Sequence, residues 1–140
     1  MESTTDGGIL FLCVANSARS QMAEGLARRA LPEREIFSAG SEPSQLNPFA
    51  RRALEEFGID PSGQYSKSVG RIPLERIDTV ITLCAEEVCP PLPSGINHLH
   101  WPFPDPVGRQ GSDEAILNRF RRVRDDIDTA IREWAQLPPL

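Results

Sequence analysis

Cys13, Arg19 and Ser20 stand in the stretch Cys13-Val14-Ala15-Asn16-Ser17-Ala18-Arg19-Ser20, a cysteine and an arginine separated by five residues and followed by a hydroxyl. That spacing suits a nucleophile acting on a bound oxyanion. A tight loop can turn its backbone N–H groups inward as a nest for a tetrahedral anion. A helix opening behind it adds positive partial charge. The arginine returns one loop length later and can fork onto two anion oxygens. The same positive field favours the thiolate, which is the nucleophilic form, and Ser20 can donate a further hydrogen bond to the sulfur. Asn16 is a residue type that tolerates a left-handed backbone. Val14 to Ser20 is therefore the candidate oxyanion-binding loop. The bland alternative is a small buried cysteine with a surface arginine, since free cysteine often just packs.

Asp105-Pro106 offers a carboxylic acid in a rigid stretch. Aimed at the anion loop, it can protonate a leaving oxygen; otherwise it is a turn aspartate. Cys84 and Cys89 have four residues between them. In a loop that separation permits a disulfide with modest rearrangement, and with Cys13 it gives one nucleophile and two candidate resolving thiols, as thiol–disulfide exchange requires. The alternative is two reduced cysteines without a redox role. His98 and His100 alternate on a strand and point to one face. A zinc set with Cys84 and Cys89 is disfavoured by the ligand spacing. Trp101, Phe103 and Trp134 read as packing residues.

These groups need a scaffold to bring them together. Gly8 to Cys13 is a continuous apolar run, as in a strand covered on both faces. Residues 18–31 read as a helix, with Met22, Leu26 and Ala30 four apart and Pro32 closing it. Glu35 to Ala39 is a second strand ending at Gly40. Asn47 caps a helix with Pro48 at its first position, running through Ala50, Leu54 and Phe57 to Gly58. Residues 60–76 carry loop chemistry with room for a short helical turn. Ile77 to Leu83 is a third strand, residues 84–95 a proline-rich loop, and Asn97 to Trp101 a fourth strand. Ser112 caps a final helix bearing Ile116, Phe120, Val123, Ile127, Ile131 and Trp134 at helical spacing, closed by Pro138-Pro139. The order β-α-β-α-β-β-α predicts an α/β three-layer sandwich, a four-stranded parallel sheet with helices on both faces. Ligands in such folds sit beyond the C-terminal strand ends, where Cys13, Cys84 and Asp105 all fall.

The composition narrows the function classes. The chain has 140 residues and a formal net charge of −5, which argues against broad nucleic-acid binding through clustered cations. No apolar run approaches the roughly 20 residues of a membrane span, and the polar N-terminus lacks a secretory pattern. The expectation is a cytoplasmic chain with a flexible tail at 1–7 and one domain at 8–140. There, three cysteines are reduced thiols unless they cycle.

The matching segments together resemble a known family. They are Cys13-x5-Arg19-Ser20-Gln-Met-Ala-Glu-Gly25, Ser38-Ala-Gly40, Gly58-Ile-Asp60, Thr82-Leu-Cys84, Cys89-Pro90 and His100-Trp101-Pro-Phe-Pro-Asp105-Pro106. They resemble the thioredoxin-coupled arsenate reductases, which share the fold of the low-molecular-weight protein tyrosine phosphatases. The resemblance implies that Cys13 attacks arsenate held by the loop and Arg19, with Asp105 assisting loss of water. It implies that Cys84 then attacks the Cys13–arsenic adduct, leaving a Cys13–Cys84 disulfide, and that Cys89 passes the oxidation to a Cys84–Cys89 bond read by thioredoxin. No cofactor or metal is implied for the electrons, which travel as disulfides. The gap between Cys84 and Cys89 is shorter than in well-known members, so glutaredoxin with glutathione, or mycothiol, stands as an alternative donor. Some members bind potassium through an Asn, a Glu, a Ser and an acidic residue. Asn16, Glu24 and Ser38 match, but the acidic position is Lys67, whose ammonium can replace the cation. The runner-up activity is a low-molecular-weight phosphatase, which would need neither Cys84 nor Cys89. A non-enzymatic oxyanion sensor is a third reading.

Overall fold

The computed structural model describes residues 7–84, 95–107 and 111–137. Four parallel strands form its sheet: β1 (Gly8–Cys13), β2 (Ile36–Gly40), β3 (Ile77–Thr82) and β4 (Asn97–His100), in the spatial order β2-β1-β3-β4. Three α-helices accompany them, α1 (Arg19–Ala30), α2 (Pro48–Glu55) and α3 (Asp113–Ala135). The parallel pairing and the alternating element order agree with the sequence reading.

Strand alternation divides the core. Ile9 and Phe11 of β1 face one way and join Ile81, Met22, Leu26, Leu54, Phe120 and Ile127. Leu10 and Leu12 face the other way and join Ala39, Ile72, Ile77 and Val80. The two helical layers are unequal. All three α-helices contribute to the first cluster, while the second is covered by short 3-10 turns at Val69–Arg71 and Leu74–Arg76. The full burial of β1 explains its unbroken apolar run.

The caps follow local chemistry. The Asn47 side chain accepts from the backbone N–H groups of Phe49 and Ala50, with Pro48 at the first helical position. Ser112 accepts from the Ala115 N–H. Helix ends differ from expectation: α2 stops at Glu55, short of Phe57 and Gly58. Helix α3 stops at Ala135 because Gln136 turns left-handed, with φ 59°, before the prolines are reached. Pro138 and Pro139 lie outside the described residues.

The chain leaves β1 to pair with β2 on one side and returns to β3 on the other. Strand order therefore reverses at β1, and the crevice beyond its C-terminal end is where such folds place ligands. Leu12 is opposite Thr82, and the Leu83 N–H donates to the Leu12 carbonyl at 2.9 Å. Cys13 thus ends β1, and Cys84 follows two residues past the end of the neighbouring β3.

Candidate active site

The Cys13–Ser20 loop is tied down from outside. Backbone N–H groups of Glu42, Ser44 and Asn47 donate to the carbonyls of Val14 (2.9 Å), Ala15 (3.1 Å) and Ser17 (3.0 Å). Each trans peptide plane that points its carbonyl outward points the next residue's N–H the opposite way. The N–H groups of Ala15, Asn16 and Ala18 are accordingly turned inward, as an anion nest requires. Gly40 packs against this loop so closely that a Cβ there would stand 2.3 Å from the Val14 carbonyl oxygen. The sequence shows residues 41–48 only as a polar connection; their role as an outer strap carries no signal that composition could reveal.

Behind the loop lies a chain of hydrogen bonds whose directions are fixed. The Lys67 backbone N–H donates to Asn16 Oδ1 at 2.9 Å. A backbone N–H can only donate, so the Asn16 amide must present its Nδ2 elsewhere. Nδ2 donates to Ser20 Oγ at 2.7 Å and to Ser38 Oγ at 3.0 Å. Each hydroxyl keeps its own proton for another partner. Ser20 stands 2.9 Å from Cys13 Sγ, and Ser38 donates to Glu24 Oε1 at 2.5 Å. Asn16 adopts φ 48°, the left-handed conformation its residue type tolerates.

Arg19 is buried and held by its surroundings. One guanidinium nitrogen donates to the Phe103 carbonyl at 3.1 Å and to the Leu83 carbonyl at 3.4 Å. Another lies 3.7 Å from Asp105 Oδ2. The Asp105 side chain is 49% exposed. Its other oxygen accepts from the Val107 N–H at 3.0 Å, a turn contact that fixes the carboxylate. Cys13, Ala15, Ser17, Ala18, Arg19 and Asp105 line one cavity of about 140 Å³, with Ser44 and Val107 at its wall. That is well below the roughly 300–1,000 Å³ of sites for drug-sized ligands, and it suits a small tetrahedral anion.

The fold thus brings Cys13, Arg19, Ser20 and Asp105 together and leaves Cys84 buried just past the end of β3. Cys89 lies outside the described residues. His98 Nε2 and His100 Nδ1 both approach Thr82 Oγ1, at 3.1 and 2.7 Å, on an exposed strand. Trp101 and Trp134 pack edge to face at 6.0 Å.

The potassium position is occupied by protein. Lys67 Nζ stands 3.7 Å from Glu24 Oε1 and donates to the Tyr65 carbonyl at 2.8 Å, with its side chain only 10% exposed. Arg28 pairs with the other Glu24 oxygen at 3.0 Å. Burial pushes the Lys67 ammonium below the usual lysine range, and the Glu24 carboxylate pushes it back up. A cation entering here would meet a charge of its own sign, so these residues do not fit a potassium ion.

The model of the low molecular weight phosphotyrosine protein phosphatase family matches residues 8–137. The chain belongs to that family. Among its relatives, the arsenate reductase of Halalkalibacterium halodurans is 45% identical over 131 residues, covering 91% of this chain and 94% of that protein. A solved structure described as an arsenate reductase in the phosphate binding state superposes with a TM-score of 0.78 at 33% identity, covering 94% of this chain and 99% of that one. A thioredoxin-dependent arsenate reductase of Corynebacterium glutamicum superposes with a TM-score of 0.72 at 28% identity, covering 96% of this chain and 63% of that one.

Proposed function

We propose that this chain reduces arsenate to arsenite with a cysteine nucleophile and an intramolecular thiol relay. The observation that carries the reading beyond the shared phosphatase loop is Cys84, buried two residues past the end of β3 and directly after Leu83, whose N–H bonds the Leu12 carbonyl beside Cys13. A phosphatase hydrolyses its phosphoenzyme with water and has no use for that thiol. The small cavity and the arsenate reductase relatives support the same choice.

Val14 to Ser20 would hold the oxyanion through inward N–H groups, and Arg19 would fork onto two of its oxygens. The Cys13 thiolate, with the Ser20 hydroxyl donating to it, attacks arsenic. An S–As bond forms, and an oxygen leaves as water with a proton from Asp105. The Cys84 thiolate then attacks the Cys13 sulfur. The S–As electron pair stays on arsenic, which falls from As(V) to As(III) and departs as arsenite. Cys89 attacks the resulting Cys13–Cys84 disulfide at Cys84 and restores the Cys13 thiol. A dithiol donor finally reduces the Cys84–Cys89 bond. The thioredoxin-dependent neighbour favours thioredoxin over glutaredoxin as that donor. Among the described residues no helix is long and apolar enough to cross a membrane, and a cytoplasmic location follows from the need for a reducing donor.

The test is arsenate-dependent NADPH consumption, first with thioredoxin and its reductase, then with glutaredoxin and glutathione. Turnover with thioredoxin is expected. Cys84→Ser and Cys89→Ser should each stop multiple turnover while sparing any hydrolysis of p-nitrophenyl phosphate. No arsenite from either donor system, or full reduction in both serine variants, would reject the relay.

A further inference from the structure

Gln21 takes no part in the chemistry proposed above, yet it is wholly buried beneath the anion loop. Its Nε2 donates to the Tyr65 carbonyl at 3.0 Å and to Asn16 twice, at the carbonyl (3.1 Å) and at Oδ1 (3.2 Å). Carbonyl oxygens only accept, so the orientation of the Gln21 amide is fixed and its oxygen faces away from Asn16. That oxygen accepts from Gln64 Nε2 at 2.9 Å, and the Gln21 backbone carbonyl accepts from the same nitrogen at 3.0 Å. The two glutamines form an amide clasp joining three segments: the first turn of α1, the anion loop at Asn16, and the Gln64–Lys67 stretch.

We infer that Gln21, supported by Gln64, is a positioning residue that holds Asn16 in its left-handed turn and thereby sets the Cys13 nucleophile and the oxyanion nest. The inference rests on the reading of Val14–Ser20 as the anion loop. A non-glycine residue at positive φ stores strain and persists only where its surroundings over-determine it. Gln21 grips both the backbone and the side chain of Asn16, so it constrains φ, ψ and the amide plane together. That plane decides the rest, because Asn16 Nδ2 occupies an acceptor site on Ser20 and leaves the Ser20 proton for Cys13 Sγ. The clasp also holds the Tyr65 carbonyl and hence the stretch whose Lys67 N–H donates to Asn16 Oδ1. An apolar side chain of equal length would fill the space and supply none of these bonds. It would also leave the Asn16 and Tyr65 carbonyls without this donor.

The experiment compares the unsubstituted protein with Gln21→Met and Gln64→Met, all fully reduced. It reads the pH profile of Cys13 alkylation by iodoacetamide, the dissociation constant for phosphate, a tetrahedral oxyanion the reduced protein cannot reduce, and the melting temperature. Gln21→Met should slow Cys13 alkylation at neutral pH and weaken phosphate binding, each about tenfold, the worth of about one hydrogen bond to a charged group. Gln64→Met, which removes only the outer bond, should shift both in the same direction by less. A residue that merely fills space would lower the melting temperature and leave Cys13 alkylation and phosphate affinity where they were; that result overturns the inference. If Gln21→Met does not fold, unchanged alkylation and binding in Gln64→Met overturn it equally. Failure of the underlying reading looks different. Cys13 in the unsubstituted protein would then show ordinary thiol reactivity and no protection by phosphate, which removes the anion loop and the clasp's role with it.

Discussion

Two polar networks of similar size sit in different solvents. Behind the anion loop, Asn16, Ser20, Ser38 and Glu24 are buried, and Lys67 nearly so. Between α2 and α3, Glu56 meets Arg121 at 2.6 Å and Arg124 at 2.7 Å, with the Glu56 and Arg121 side chains about a third exposed. In the first network the backbone N–H of Lys67 fixes the Asn16 amide, so the hydrogen-bond directions along the chain to Ser20 and Ser38 are determined and the nucleophile is aimed. In the second, water competes at Glu56 and Arg121, while buried Arg124 anchors the pair, and the bonds fasten two helices without ordering any reacting atom. Low local dielectric makes the first network costly to break and specific. High dielectric makes the second tolerant.

The sharpest way to break the contrast is at the nucleophile. Cys13→Ser should abolish arsenate reduction entirely, because a hydroxyl at neutral pH is a far weaker nucleophile than a thiolate. Arsenite release measured with thioredoxin present checks this. Turnover in a clean preparation would place the chemistry elsewhere and make the buried network a structural feature like the other.

One step back along the chain, Ser20→Ala removes the hydroxyl between Asn16 and Cys13. The expected loss in kcat is about 10- to 100-fold, the worth of one hydrogen bond to a charged group. The melting temperature should change little, since Asn16 Nδ2 retains Ser38. An equal loss of stability and activity would mean that the network holds the loop together without tuning the sulfur.

Further from the sulfur, Lys67 tests whether the buried network supplies its own cation. Potassium at matched ionic strength should leave both the melting temperature and kcat/KM of the unsubstituted protein unchanged. Lys67→Asp should lower stability by about 3 kcal/mol in a bulky organic cation, as for a broken buried pair, and recover part of it in potassium. Thermal melts in potassium chloride and tetramethylammonium chloride decide the matter. Clear stabilisation of the unsubstituted protein by potassium would show that the ammonium is displaced.

What the sequence made legible follows the same division. The strands, helices and strand-end placement of Cys13, Cys84 and Asp105 come from apolar periodicity and capping, which are local signals. The loop's outward carbonyls, accepted by Glu42, Ser44 and Asn47, are not legible, because backbone-to-backbone bonds leave no trace in residue type. Gln21 was missed for a related reason. A glutamine in the first turn of a helix reads as solvated, and only the tertiary approach of Gln64 and Tyr65 gives it partners. The Glu24, Ser38 and Lys67 group was reachable only through family resemblance, since the three residues come from separate elements.

The smallest expected effect belongs to the exposed network. Hydrogen bonding from Arg121 lowers the Glu56 carboxyl from its usual 4.5 to about 2, with Arg124 adding to the effect against the cost of burial. A carboxyl held low in the folded state contributes stability that is present above its unfolded value and lost as pH falls through the folded one. Glu56→Gln should therefore destabilise at pH 7, and the difference from the unsubstituted protein should shrink between pH 4.5 and about pH 2. Solvent screening at a site one-third exposed limits the loss to about 1 kcal/mol. Arsenate reduction should be unaffected, because α2 and α3 meet away from the Cys13 cavity. Urea unfolding at pH 7 and pH 3 measures the linkage, and a pH-independent difference would mean that Glu56 acts by neutral hydrogen bonding alone. A fall in kcat from this variant would erase the distinction, because it would show that the outer network also reaches the sulfur.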